Sequence, residues 1–166
     1  PVFNADYEVS KLYQKDKSVF IKLNKKLPKY IFTFPIDKVE ITNAILSNKK
    51  NLKTIINIVH KEVRKKLNIF LKKNQNAKIV ILDIPLLIEN KIYKKKDILV
   101  FIDSRKKDIN KKIKKRPNYN IKLINIFRKI QFKLNYKKKK SHFIIKNTFT
   151  KTPVKKAIKK ILNQIL

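Results

Sequence analysis

Glycine is absent from all 166 residues of this chain, although it ordinarily makes up about 7% of a protein. Glycine-rich loops bring backbone N–H groups close to phosphates, and the G-x-G-x-x-G turn of dinucleotide-binding proteins depends on the same freedom of the backbone. The printed residues therefore contain neither kind of loop. Any phosphate chemistry assigned to this chain has to rest on other residues.

Cysteine is absent as well, and there are only two histidines, His60 and His142. Without cysteine the chain has no disulfide and no thiolate metal ligand, which agrees with the reducing cytoplasm that we expect for it. Two histidines far apart in sequence leave little for a zinc site, so we predict no metal-ligating residues. No uncharged apolar run reaches about 18 residues, so we also predict no membrane-spanning helix.

Acidic residues are scarce: 11 Asp and Glu stand against 44 Lys and Arg, which gives a formal net charge of +33. A charge of this size favours a nucleic-acid partner. Only four of the basic residues are arginine, however, and arginine is the residue of bidentate phosphate and base contacts. The abundant Lys, Ile and Asn all have A/T-rich codons, so genome composition explains the charge at least as well as a partner does. We predict salt-sensitive, non-specific polyanion binding and no specific nucleic-acid partner.

Short apolar runs alternate with longer amphipathic segments along the chain, a pattern that predicts strands alternating with helices. The predicted strands are Pro1–Phe3, Ile79–Leu82, Ile98–Ile102 and Phe143–Ile145. The predicted helices are Tyr7–Asn24, Asp37–Leu46, Asn48–Asn74, Arg105–Lys115, Ile121–Leu134 and a last one from Thr152. Such alternation predicts one α/β domain over residues 1–166 with a mainly parallel sheet.

The two middle runs, Ile79–Leu82 and Ile98–Ile102, are continuously apolar, which is typical of strands buried on both faces. Each run ends in an aspartate, Asp83 or Asp103. Ligand sites in open α/β sheets gather beyond the carboxyl ends of such strands, so we expect residues 83–89 to line a site. Most aromatic side chains fall in apolar patterns and are expected to be buried, which argues against base-stacking surfaces.

Six pieces of the chain, taken in order, resemble the dephospho-CoA kinase family. LDIPLLIENKIY at residues 82–93 is similar to the family's L-D-I-P-L-L-F-E-x-x-L-Y, and Arg116 falls where the lid arginine lies. The other pieces are PVFNAD at 1–6, FPIDK at 34–38, IVHKEVRKKL at 58–67 and FIIKN at 143–147. Asn4 stands in place of the first aspartate of the family's D-A-D, and Lys38 in place of an arginine. The order and spacing of the pieces make the resemblance specific.

This resemblance implies a P-loop kinase-like fold, a three-layer parallel sheet with helices on both faces. It implies a helical acceptor-binding region at about 28–75 and a lid at about 116–135. The implied activity is ATP-dependent phosphorylation of the ribose 3′-hydroxyl of dephospho-CoA, the last step of coenzyme A synthesis, with Mg²⁺ accompanying ATP. The alternatives are another nucleoside or nucleotide kinase of the same fold, or a basic nucleic-acid-binding protein.

The family's phosphate loop and the strand before it, which precede the PVFNAD piece, have no counterpart in these residues. In the family that strand lies in the middle of the sheet, so we expect its two neighbours to have unpaired edges. We predict that the 166-residue chain is a truncated form, with the first strand missing, that does not turn over ATP. A G-x-x-x-x-G-K-[ST] motif in the reading frame upstream of Pro1 is the observation that tests this.

The resemblance also implies site residues. Asp6 and Arg116 are the implied catalytic residues, Asp6 to take the ribose proton or lie near Mg²⁺ and Arg116 to contact the transferring phosphates. The implied substrate-binding residues are Lys38, His60, Arg64, Leu86, Leu87 and Glu89, and Asn147 is expected near the adenine of ATP. Structural alternatives stay open: a helix cap for Asp6, a helix-end cation for Arg116, a polar surface stripe for His60 and Arg64, core packing for the leucines and a turn for Asn147.

Overall fold

The computed structural model describes residues 1–166, which form two compact units, Pro1–Pro85 and Leu86–Leu166. The first unit contains β1 (Val2–Asn4), α1 (Ala5–Lys15), α2 (Lys17–Lys26), α3 (Lys38–Ser47), α4 (Lys49–Lys73) and β2 (Ile81–Asp83). The second contains β3 (Val100–Asp103), α5 (Lys106–Lys114), α6 (Ile121–Ile130), α7 (Leu134–Lys140), β4 (Phe143–Lys146) and α8 (Lys151–Ile165). Both strand pairs are parallel, so the predicted α/β class is confirmed.

Polar residues set where the helices of the first unit begin. The side chains of Asn4, Asp16, Asp37 and Asn48 accept hydrogen bonds from backbone N–H groups in the first turns of α1, α2, α3 and α4. Each cap satisfies a donor that the helix itself leaves unpaired and contributes about 1 kcal/mol. Asp16 also ends α1, because its N–H donates to the carbonyl oxygen of Leu12 at 3.1 Å. The single helix predicted over Tyr7–Asn24 is therefore wrong, since Asp16 divides it.

The core of the first unit lies along α4, against which α1, α2 and α3 each pack. One stripe of α4 is buried, as the helical spacing of its apolar residues predicts. The stripe consists of Leu52, Ile55, Val59, Val63 and Leu67. Full burial of one such aliphatic side chain stabilises the fold by about 1.5–3 kcal/mol. None of the helices, even the 25-residue α4, has the length and apolar character needed to cross a membrane.

Each strand has only one hydrogen-bonded neighbour. In the first unit β1 pairs with β2, which places Asn4 opposite Asp83. In the second unit β3 pairs with β4, which places Asp103 opposite Lys146. No strand lies between two others in either sheet. Unpaired strand edges are therefore present in both units, as expected for strands that lack a neighbour.

The middle strands are much less buried than their continuous apolar sequences predict. Ile81 of β2 is 55% exposed and Ile102 of β3 is 53% exposed. Exposure alternates along β3, where Val100 and Ile102 are exposed and Phe101 between them is half-buried, so the isoleucine-side and phenylalanine-side faces differ in burial. The prediction of strands buried on both faces is wrong for this structure. The aromatic residues expected in the core are half-buried rather than buried, namely Phe20, Phe70, Phe127 and Phe143.

The second unit departs from the predicted helix boundaries at one place that matters for the site. The helix predicted over Ile121–Leu134 ends at Ile130, because the backbone turns extended at Gln131. The basic run that follows forms the separate helix α7. Arg128 Nη2 near the end of α6 donates to Asn110 Oδ1 of α5 at 2.8 Å, which ties these two helices together. Residues 131–133 therefore form a connection between α6 and α7.

Candidate active site

An asparagine and an aspartate meet at the carboxyl ends of β1 and β2. Asn4 Nδ2 donates to Asp83 Oδ2 at 2.8 Å, while Asn4 Oδ1 accepts from the backbone N–H of Tyr7 at 2.8 Å. One amide therefore caps α1 and holds the end of β2 at the same time. An aspartate at position 4 would cap the helix equally well but would set two negative charges side by side. The departure of Asn4 from the D-A-D pattern thus gives this strand pair a hydrogen bond instead of a repulsion.

Asp6 lies two residues beyond the end of β1, exposed in the first turn of α1. The cap of this helix is Asn4, so the structural alternative of Asp6 as the helix cap does not hold. The partial positive charge of a helix N-terminus favours a carboxylate in the first turn. Asp6 is thus a carboxyl group just past the carboxyl end of a parallel strand. A group of this kind can accept a proton or face a cation.

His60 and Arg64 lie one turn apart on α4, the first half-buried and the second exposed. Burial, and then the positive charge of Arg64, hold the pKa of His60 below its ordinary value of 6.5. At neutral pH His60 is therefore an uncharged imidazole, and the positive charge of this pair is that of the guanidinium alone. Lys38 is the exposed first residue of α3, and no hydrogen bond or ion pair joins it to either residue.

The lowered pKa of His60 predicts a loss of stability in acid. Because the folded pKa lies below the unfolded one, the contribution of His60 is fully present above about pH 6.5 and is lost as the pH falls through the folded pKa. We expect an NMR titration to give His60 a pKa below 6.5. Arg64→Gln should raise that pKa only part of the way, because burial still opposes the charge.

The second histidine makes the assignment of this titration simple. His60→Gln leaves His142 as the only imidazole in the chain, so the missing resonance identifies His60. The pH dependence of the urea midpoint between pH 7 and pH 5 should become shallower in His60→Gln than in the unmodified chain. A His60 pKa at or above 6.5 in the unmodified chain would contradict the prediction.

Leu86, Leu87 and Glu89 share one turn at the start of the second unit. Leu86 has a φ of 57°, and Lys91 at the other end of the turn has a φ of 50°. Neither is a glycine, and a non-glycine residue in this region costs about 1–2 kcal/mol. Asn90 braces the turn, since its N–H and its Nδ2 both donate to the carbonyl oxygen of Leu86 at 3.0 and 3.1 Å. Both leucines are half-buried.

Glu89 is the most enclosed charged group of this turn, with a side chain only 8% exposed. Its Oε1 accepts from Lys137 Nζ at 2.6 Å and from the backbone N–H of Phe132 at 2.9 Å. Burial by itself would raise the pKa of Glu89, but the hydrogen bonds from Lys137 and Phe132 outweigh it and leave the pKa below its ordinary value. Glu89 is therefore ionised at neutral pH and fully engaged with other parts of its own unit.

Arg116 and Asn147 lie elsewhere in the second unit. Arg116 is exposed in the turn between α5 and α6. Asn147 follows β4, where its N–H donates to the carbonyl oxygen of Asp103 at 2.7 Å and its Oδ1 accepts from Phe149 N at 2.9 Å. The asparagine thus has the geometry of a turn residue. No hydrogen bond or ion pair joins Arg116 or Asn147 to the turn of residues 86–91.

Two ion pairs in the second unit were not predictable from the lysine run at 137–140. Lys137 pairs with Glu89, and its neighbour Lys138 pairs with Asp103 at 2.7 Å. Lysines of one run look alike in sequence, and nothing in it marks the two that find acidic partners. In the sequence, only the scarcity of acidic residues points to these ion pairs, because each of the 11 acidic residues is a potential partner for one of the many lysines. The same signal draws attention to Glu40, which is 7% exposed.

No group of three or more His, Asp or Glu side chains is arranged to hold a metal ion. Asp6 and Asp83 are the carboxylates that follow the strands of the first unit.

Comparison with known proteins gives a consistent result over nearly the whole chain. The family model described as dephospho-CoA kinase matches residues 1–152. A dephospho-CoA kinase of Wolbachia pipientis wMel is 30% identical over 166 residues, covering 99% of this chain and 85% of that protein. One from Rickettsia felis is 31% identical over 160 residues, covering 96% of this chain and 82% of that protein.

Solved structures show the same fold. A crystal structure from Thermus thermophilus matches with a TM-score of 0.73 at 19% identity, covering 100% of this chain and 85% of that one. A dephospho-CoA kinase from Campylobacter jejuni matches with a TM-score of 0.65 at 22% identity, covering 99% of this chain and 84% of that one. The predicted kinase-like α/β fold is thereby confirmed.

Proposed function

Because the chain belongs to the dephospho-CoA kinase family, we propose that its reaction is transfer of the γ-phosphoryl group of ATP to the ribose 3′-hydroxyl of dephospho-CoA. The products are coenzyme A and ADP. The observation that carries this proposal is the family match over residues 1–152, which includes all nine candidate site residues, those of the first unit and those of the second. The use of ATP follows from membership of a kinase family.

Asp6 is proposed to accept the proton of the ribose hydroxyl as the new P–O bond forms. Its exposed position after β1 and its place in the first turn of α1 support this role. Proton removal contributes modestly to phosphoryl transfer, in which positioning and charge stabilisation dominate. We therefore assign Asp6 an orienting hydrogen bond to the hydroxyl as much as a proton-accepting role.

Arg116 is proposed to neutralise charge on the transferring phosphoryl group. Its guanidinium is exposed and is one of only four in the sequence. A planar guanidinium donates two parallel hydrogen bonds to a phosphate, which lysine cannot do. The turn between α5 and α6 also leaves Arg116 outside a regular helix, as a residue of a closing lid needs.

The remaining candidates other than Glu89 are proposed to bind substrate and nucleotide. Lys38 and Arg64 supply exposed positive charge for the phosphates of dephospho-CoA, and the uncharged His60 supplies a hydrogen bond. Leu86 and Leu87 shape the apolar side of the turn of residues 86–91, which we call the acceptor turn, and Asn147 is proposed to contact adenine through its Nδ2. Mg²⁺, when bound with ATP, would offset phosphate charge, and Asp6 and Asp83 are the residues proposed to face it.

Binding measurements separate this proposal from that of a basic nucleic-acid-binding protein. We expect calorimetry to detect dephospho-CoA binding by the chain and Arg64→Gln to weaken it about 10-fold, the loss of one charge-assisted contact. Lys61→Gln, which removes an exposed charge from the same helix, is the matched control and should leave the affinity within about twofold. Tight RNA binding that survives physiological salt, together with no affinity for dephospho-CoA, would overturn the proposal.

A further inference from the structure

The carboxylate of Glu89 links the acceptor turn to the segment that follows α6. Glu89 belongs to the acceptor turn. Its donor Phe132 N lies in the connection between α6 and α7, and its donor Lys137 Nζ lies in α7. The ion pair is enclosed, with side chains 8% and 16% exposed. Enclosed, charge-assisted contacts of this length hold their partners more firmly than surface ion pairs do.

A second ion pair fixes the other side of α7. Lys138 Nζ donates to Asp103 Oδ2 at the carboxyl end of β3, at 2.7 Å. Neighbouring residues on a helix point about 100° apart, so Lys137 and Lys138 reach two different carboxylates. The short helix α7 is thus held at the end of β3 by one contact and at the acceptor turn by the other. Only the contact with Glu89 reaches the connection that leads back to α6.

We propose that Glu89 is a positioning residue. By binding Phe132 N and Lys137 Nζ it sets the position of the α6–α7 connection, and through this connection it positions the segment 116–133. The inference rests on the proposed function, because the segment matters for the reaction through Arg116. Glu89 itself then does not contact dephospho-CoA. A ligand that moves or orders the turn of residues 86–91 transmits this change through Glu89 to the segment that carries Arg116.

Hydrogen exchange at the Phe132 amide tests the proposal directly. In the unmodified chain this amide should be protected, because Glu89 accepts its hydrogen. Glu89→Ala should speed its exchange about 10- to 100-fold, the loss of one hydrogen bond to a charged group. Glu89→Gln, which preserves shape, should speed it less, and Lys137→Met should also speed it. Lys140→Met, a matched loss of one exposed charge from α7, should leave it unchanged.

Dephospho-CoA as the added probe distinguishes positioning from a merely structural contact. We expect it to slow exchange across residues 116–133 in the unmodified chain and in Lys140→Met, and to have no such effect in Glu89→Ala. If Glu89→Gln weakens dephospho-CoA binding while Phe132 exchange stays unchanged, Glu89 is a substrate contact and the proposal is overturned. If neither the unmodified chain nor any variant binds dephospho-CoA, but the exchange rates of the Phe132 amide differ among the variants as expected, the contact made by Glu89 is supported and the proposed function is overturned.

Discussion

The 166-residue chain is expected to bind dephospho-CoA without converting it to coenzyme A at a measurable rate. Catalysis of phosphoryl transfer is almost entirely positioning and charge stabilisation around the phosphates. A large part of that stabilisation comes from backbone N–H groups of a glycine-rich loop, and these residues contain no glycine. Removal of one such donor lowers the rate about 10²–10³-fold, so a polypeptide limited to residues 1–166, without any glycine-rich loop, should be slower by at least about 10⁴-fold.

A coupled assay of ADP release, with chromatographic detection of coenzyme A, measures this outcome. Kinases commonly turn over at about 1–100 s⁻¹, so the chain should stay below about 0.01 s⁻¹. The Wolbachia pipientis dephospho-CoA kinase, which is 30% identical to this chain, serves as the positive control in the same buffer. Coenzyme A formation above that rate, abolished by Asp6→Asn, would show that the chain supplies its own phosphate-binding groups. Calorimetry with dephospho-CoA then separates an inactive folded chain from an unfolded one.

Local order in this fold was largely predictable from the sequence. The apolar stripe of α4 and its asparagine boundaries predicted that the longest helix begins at Asn48 and ends near residues 74–76, close to the observed Lys49–Lys73, because the pattern and caps act within one segment. The break at Asp16 was harder to predict. Aspartate is tolerated on the exposed face of a continuous helix, and only the hydrogen bonds to Ser18 and Val19 show that Asp16 starts a new one.

Strand burial and the site contacts were not predictable in the same way, since both depend on what lies beside a residue in space. Continuous apolar runs predict two covered faces, yet Ile81 and Ile102 are exposed, because a strand face is buried only where another element packs on it. Glu89 was predictable as a residue of interest from the scarcity of acid. Its partner Lys137 was not, because a run of like residues gives no basis for choosing one of them.

Glu40→Ala is expected to lower the free energy of unfolding by about 2–4 kcal/mol, a large part of the roughly 5–15 kcal/mol typical of a domain. Glu40 is 7% exposed on α3, and its carboxylate accepts three hydrogen bonds. Phe32 N donates to Oε2 at 3.3 Å, and Thr33 donates to Oε1 through its N–H at 3.2 Å and its hydroxyl at 2.7 Å. The truncation leaves these donors without their acceptor, which is the costly case for a part-buried polar group.

The individual contacts of Glu40 can be separated with two further variants and urea denaturation. Glu40→Gln should lower the free energy of unfolding, but by less than Glu40→Ala does. Its Oε1 can still accept a hydrogen bond, whereas its amide N–H₂ faces a backbone N–H where an acceptor is needed. Thr33→Val removes only the hydroxyl contacts and should cost about 1 kcal/mol. The two changes share one hydrogen bond, so Glu40→Ala with Thr33→Val should cost less than their sum. Strict additivity, or a Glu40→Ala cost below about 1 kcal/mol, would mean that the carboxylate does not hold residues 32–33 in solution.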